Sequence, residues 1–189
     1  MPRSTGYLKK FLKNNIRILF FLLLLCAAAV IITVVTLRNT QSEREKREEL
    51  YPLISEYAEK YQLDKELVYA VIECESGFDV NAVSRAGACG LMQLMPNTFL
   101  WITETEEGEL DIFDPETNIQ AGCKYLRYLL GRFDKLETAL AAYNAGEGKV
   151  GAWLSDAKYS TDGESLDVIP YPETAEYVRR VLAAYKQND

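Results

Sequence analysis

Two glutamates one residue apart, Glu73 and Glu75, are the groups in this chain best placed to move protons. They end a segment from Asp64 to Ser76 whose apolar residues recur at helical spacing. At ~100° per residue, Leu67, Val68, Val71 and Ile72 form one arc of a helix. Glu75 falls in the middle of that arc, and Glu73 falls on the polar side with Glu66. The two carboxyls are therefore expected in opposite environments, with Glu73 solvated. Glu75 turns toward the core at a helix C-terminus, where the dipole disfavours negative charge. A carboxyl that is costly to ionise has a raised pKa, which suits a general acid working near neutral pH. The non-catalytic alternative has Glu75 paired with a base such as Arg85, or accepting from a loop amide.

Other chemistries lack their residues. The chain has no His, which excludes a Ser-His-Asp triad, a Cys-His dyad and every His-ligated metal site. Cys74, Cys89 and Cys123 show no C-x-x-C spacing, so no zinc site is expected, and nothing calls for a metal or another cofactor. Three thiols in this region allow at most one internal disulfide, with the pairing open; buried free thiols are the plainer reading.

The elements that must position Glu75 read as helices. Pro52 suits a first helical position, with Leu53, Ile54, Tyr57, Ala58 and Tyr61 at helical spacing after it. Asp64 is a fair N-cap for the helix that carries the glutamates. Asp114-Pro115-Glu116 starts another, with Ile119, Tyr125, Leu126, Leu129, Leu130 and Phe133 behind it. Leu136 to Tyr143 is a short apolar helix. Pro172 and Glu173 open the last one, with Val178, Val181, Leu182 and Tyr185 on one side. Runs of alternating β-branched residues are lacking. The fold class is therefore all-α, with room for a small hairpin between Ser155 and Leu166.

Composition divides the chain. Twelve Tyr, seven Phe and two Trp in 189 residues exclude wholesale disorder. Of the 21 bases, Arg3, Lys9, Lys10, Lys13 and Arg17 lie in residues 1–17 without an acid, which leaves 16 bases against all 28 acids in the rest. So acidic a body offers no basic face for phosphate backbones, and nucleic acid is not expected as a partner. Ile18 to Leu37 carries no charge. At ~1.5 Å per residue these residues span a hydrocarbon core of ~30 Å, and the run is longer than the roughly 7–15 residues of a signal-peptide core. The expected organisation is a basic tail (1–17), a transmembrane helix (18–37), a charged spacer, helical or a flexible stalk (38–50), and a folded domain (51–189). The five bases before the span, against Arg38, Arg44, Lys46 and Arg47 after it, place the N-terminus in the cytoplasm and the domain outside. The localisation implied is a single-pass protein of the cell membrane.

Several motifs follow in order. Glu75-Ser76 precedes Ser84-Arg85-Ala86-Gly87-Ala88-Cys89-Gly90-Leu91-Met92-Gln93-Leu94-Met95-Pro96. Then come Asp114-Pro115, Asn118-Ile119, Gly122 and Tyr125-Leu126, and Ala141-Ala142-Tyr143-Asn144-Ala145-Gly146. Ile169-Pro170-Tyr171-Pro172-Glu173-Thr174 and Tyr177-Val178 close the set. From about Tyr51 to Lys186 the chain resembles the soluble lytic transglycosylase catalytic domain, which has a lysozyme-like fold. The resemblance implies action on peptidoglycan glycan strands, at the β-1,4 bond between N-acetylmuramic acid and N-acetylglucosamine, with a 1,6-anhydro ring left on the muramic acid. It implies Glu75 as sole acid and base, and Ser84, Gln93, Tyr143, Asn144 and Glu173 as substrate-binding residues. From the residues alone, Gly87 and Gly90 suit a tight turn. Met92 and Met95 suit core packing, Tyr143 a core ring, Asn144 a helix cap and Glu173 a favoured acid in a first turn. Two other functions stay open: a lysozyme-type hydrolase, which would need a second carboxylate such as Asp79 to activate water, and a non-catalytic wall-binding scaffold.

Overall fold

The computed structural model describes residues 4–188. Arg3 of the basic tail lies outside the described residues, and so do the side chains of Lys9, Lys10, Lys13 and Arg17. The chain divides into two compact units, Met1–Lys46 and Arg47–Asp189. A single helix, α1 (Ser4–Lys60), starts in the first and ends in the second. In the first unit it contains a stretch long and apolar enough to cross a membrane. Phe20, Leu25, Ile31 and Val35 on that stretch are exposed, as lipid-facing side chains would be.

Pro52 does not begin a helix: it sits inside α1. The strong helix formers of the spacer before it, Glu, Lys and Arg, carry the helix through, and burial of Leu50 and Ile54 on either side anchors it. The proline costs one main-chain hydrogen bond, because it has no N–H.

The second unit adds six helices: α2 (Lys65–Glu75), α3 (Pro96–Thr103), α4 (Pro115–Arg132), α5 (Leu136–Ala145), α6 (Glu147–Leu154) and α7 (Pro172–Asn188). Asp64 caps α2 by accepting from the Glu66 N–H, and Asp114 caps α4 by accepting from the Thr117 N–H. The two eight-residue helices α3 and α6 are not announced by the sequence. Each offers little more than two turns, too short for a period to show.

Helix α5 forms the centre. Thr138 to Tyr143 are buried all round it, and it packs on α4, α6 and α7, while α2 packs chiefly on α7. Val68, Val71, Ile72, Leu91, Met92, Ile119, Leu126, Leu129 and Leu140 are fully enclosed between these helices. Each such side chain stabilises the fold by roughly 1.5–3 kcal/mol relative to exposure. No hairpin forms between Ser155 and Leu166. Asp162 accepts from the N–H groups of Glu164 and Ser165, and Asp167 accepts from that of Thr161. These side chains take the donors that a strand ladder would need.

Candidate active site

Helix α2 presents the two glutamates as its periodicity predicts. Leu67, Val68, Val71 and Ile72 are buried. Glu73, on the other face, is less solvated than expected: its carboxylate pairs with Arg47 at 3.0 Å. The same guanidinium lies over the Phe78 ring. Glu75 is the last residue of α2, with Ser76 as its C-cap. It makes no ion pair with a described residue, neither Arg85 nor any other.

Burial strips water from the Glu75 carboxyl and raises its pKa to about 7; Tyr177 and the charge of Arg180, both on α7, pull the other way. Two buried phenols face this carboxyl. The Tyr143 hydroxyl, on α5, donates to the Met92 carbonyl at 2.8 Å. The Tyr177 hydroxyl is buried and makes no hydrogen bond of good geometry, yet it stands close enough to Glu75 to act on its titration. Burial and the Glu75 charge hold both phenols well above their usual range, so both stay protonated. No group of His, Cys, Asp and Glu among the described residues is arranged to hold a metal ion.

The loop after α2 is held by its own polar groups. Ser84 Oγ accepts from the Ala88 N–H at 2.9 Å. Gln93, at φ 48°, donates from Nε2 to the carbonyls of Ala82 and Gly90. Ser84 and Gln93 therefore build the loop, and the Gln93 amide hydrogens are spent on it. Gly90 has φ +76°, and a side chain there would run into Asn118 and the Ile112 carbonyl. Asn118, on α4, is fully buried.

Tyr143 and Asn144 join this loop to the far side of the site. While Tyr143 holds Met92, Asn144 Oδ1 accepts from the Thr174 hydroxyl at 2.9 Å at the start of α7. Glu173 stands beside Thr174, exposed, and its side chain makes no hydrogen bond or ion pair with a described residue. The structure thus brings Tyr143 to Glu75, places Ser84 and Gln93 in the loop behind Met92, and sets Asn144 with Glu173 at the α5–α7 junction. Met95 is exposed, and Cys74, Cys89 and Cys123 are free thiols. Asp79 is exposed and caps its own turn by accepting from the Asn81 N–H.

Tyr177 and Arg180 were not among the candidate residues of the sequence. On α7, Val178 and Val181 are buried and Leu182 and Tyr185 pack half-buried against the core, as the spacing predicts; the same stripe extends one turn back through the buried Thr174 and Tyr177. The i, i+3, i+4, i+7 pattern of Thr174, Tyr177, Val178 and Val181 carries the signal.

A helical domain with one desolvated carboxyl between two buried phenols has close relatives among known proteins. Residues 52–165 match the model of the transglycosylase SLT domain, and the chain belongs to that family. It is 35% identical over 150 residues to the soluble lytic murein transglycosylase of Escherichia coli strain K12, covering 72% of this chain and 23% of that one. It is 30% identical over 179 residues to the membrane-bound lytic murein transglycosylase C of Photorhabdus laumondii, covering 80% of this chain and 50% of that one. Among solved structures it resembles an inactive glutamate-to-glutamine mutant of the lytic transglycosylase Slt of Pseudomonas aeruginosa. There the TM-score is 0.63 and the identity 32%, over 72% of this chain and 23% of that one. The chain thus spans about a quarter of the soluble relatives and half of the membrane-bound one.

Proposed function

We propose that this protein is a membrane-anchored lytic transglycosylase that cleaves the β-1,4 bond between N-acetylmuramic acid and N-acetylglucosamine in peptidoglycan. The observation that carries this reading is Glu75: a lone carboxyl, raised to about 7 by burial, at the end of α2. No other carboxylate among the described residues contributes to its shift. A hydrolase of the usual kind needs a second carboxylate ~5–5.5 Å or ~6.5–9.5 Å away, and Asp79 is occupied with its own turn.

One carboxyl suffices when the sugar supplies the nucleophile. Glu75 gives its proton to the leaving glycosidic oxygen as the C1–O bond breaks. The carboxylate then takes the proton of the muramoyl C6 hydroxyl as that oxygen bonds to C1, which restores the acid and leaves a 1,6-anhydro ring. A pKa near 7 fits a group that must serve in both forms. While Glu75 is charged, the Tyr177 hydroxyl has a hydrogen to offer it, since no other partner holds it. Ser84, Gln93, Tyr143, Asn144 and Glu173 are proposed to hold the glycan, the first two by shaping the loop.

Membrane association is supported by the exposed apolar stretch of α1 and by the name of the membrane-bound relatives. In our reading the N-terminus is cytoplasmic and residues 51–189 face the wall. Mass spectrometry of fragments released from purified peptidoglycan by the full chain in detergent tests the chemistry. Muramoyl ends lighter by one water are expected. Reducing muramic acid ends would make the protein a lysozyme-type hydrolase, and no fragments at all would favour a wall-binding scaffold.

A further inference from the structure

A concave feature lies apart from the residues around Glu75. A cavity of about 580 Å³ opens between the end of α1, α3 and the second half of α4, lined by Tyr61, Ile102, Lys124, Arg127, Tyr128 and Arg132. Its charge is opposite to that of the domain around it, which is strongly acidic. Two of its three cations are already engaged: Lys124 with Glu104 at 3.2 Å and Arg132 with Glu147 at 3.5 Å. Arg127 is exposed and makes no ion pair or hydrogen bond with a described residue. Bases near the C-terminus of a helix are favoured by its dipole. That explains Arg132, but not an unpaired guanidinium on the wall of a cavity.

The other walls suit a small amphiphilic chain. Tyr61, Tyr128 and Ile102 supply apolar surface. Trp101, 51% exposed, stands on the Tyr128 ring edge-on at 5.0 Å. The feature is also connected to the site. Tyr128 stacks with Tyr125, and Tyr125 lies 5.3 Å from the Tyr143 ring beside Glu75. A ligand in this cavity is therefore two ring contacts from the residue that faces the acid.

We propose that this cavity binds the carboxylate-bearing stem peptide of a peptidoglycan strand, with Arg127 as the principal anchor. This rests on the proposed function, because it takes that substrate as given. Guanidinium matches carboxylate in a two-pronged, charge-assisted geometry, and the aromatic walls receive the aliphatic side chains of a short peptide. The charge of the domain makes such a device useful. The acidic body is repelled at long range by an anionic wall, so productive contact needs a local basic point that an acidic group of the substrate can reach.

The test uses the full chain in detergent. A synthetic stem tripeptide with free carboxylates, titrated by calorimetry, should bind the wild type, and binding should weaken at least about tenfold in Arg127→Glu, the loss of one charge-assisted hydrogen bond. The peptide amidated at its carboxyls should bind the wild type no better than the acid form binds the variant. No binding to the wild type, or equal binding to both proteins, overturns the proposal. So does tighter Arg127-dependent binding of inorganic phosphate or of phosphatidylglycerol vesicles, which would assign the cavity to phosphate groups of wall polymers or lipid. Turnover supplies the second arm. Arg127→Ala should raise KM for peptide-bearing strands and leave it unchanged for strands stripped of peptide by an amidase. Equal effects on the two substrates overturn the stem-peptide site. Absence of turnover by the wild type on either strand counts against the proposed function alone, because the calorimetry decides the cavity independently.

Discussion

The Asn118 carboxamide holds Met92 in place: its Oδ1 accepts from the Met92 N–H at 2.8 Å, while its Nδ2 donates to the carbonyls of Cys89 and Ile112. One buried side chain on α4 thus fixes the loop whose Met92 carbonyl receives the Tyr143 hydroxyl. Asn118→Ala would leave the Met92 N–H and the Ile112 carbonyl without their side-chain partner, while the Cys89 carbonyl keeps the Leu94 N–H. Each such loss costs about 1–3 kcal/mol, so a loss of about 2 kcal/mol or more is expected in chemical denaturation. Asn144→Ala, at an exposed position with one hydrogen bond, should cost about 1 kcal/mol or less. Similar losses in the two variants would show that Asn118 is not the hub of the loop.

The two glutamates of α2 should respond differently. Glu75→Gln is expected to stop fragment release while the far-UV spectrum and melting temperature stay near or above wild type. Glu73→Gln removes a half-exposed ion pair with Arg47, costs about 1 kcal/mol or less, and should leave most activity. Comparable loss of activity in both would defeat the assignment of a single acid.

The elevated pKa of Glu75 has a thermodynamic counterpart. The ordinary value is 4.5 and the folded value about 7, so between these limits the folded state binds more protons than the unfolded. Stability then falls as pH rises through this window, and the penalty is fully present above about 7. In Glu75→Gln the penalty is absent. Its melting temperature relative to wild type should increase from pH 5 to pH 8, and a constant difference across that range would refute the shifted titration.

Tyr177→Phe separates positioning from packing. The hydroxyl has no good partner in the fold, so its removal should leave stability unchanged or raise it. Because Tyr177 pulls the Glu75 pKa down, the alkaline limb of the pH–rate profile should move to higher pH in the variant, with lower kcat. An unchanged profile would limit Tyr177 to packing.

Orientation can be read directly. Protease added to intact spheroplasts should digest residues 51–189. A domain that survives until the membrane is permeabilised would reverse the assignment made from Arg3, Lys9, Lys10, Lys13 and Arg17.

Helices with caps and long periods were legible in the sequence. Asp64 and Asp114 announced α2 and α4, and the arc of Leu67, Val68, Val71 and Ile72 put Glu75 toward the core. What the sequence hid depends on distant contacts. Pro52 looks like a beginning because local rules place it there, and only the helix formers before it and the burial of Leu50 and Ile54 carry α1 through. Glu73 looks solvated until Arg47 is brought beside it from α1. The resemblance implies Ser84 and Gln93 as substrate-binding residues; what the sequence hid is that Ser84 Oγ also accepts from the Ala88 N–H and that Gln93 Nε2 donates to the carbonyls of Ala82 and Gly90. Tyr177 lies one turn before Val181 on the same stripe of α7, and only the packing of α7 on α2 brings it to Glu75.

The helix that completes the surroundings of Glu75 is made after the helix that carries it. Helix α2 is synthesised well before α7, which packs on it and supplies Tyr177 and Arg180. Until α7 docks, the face of α2 that it covers is open to water and the burial around Glu75 is incomplete. On the proposed reading, a nascent chain still crossing the membrane cannot cut the wall that it is entering. On the same reading, lytic capacity waits until residues 172–188 have been exported and have folded back, a delay set by the order of the helices along the chain.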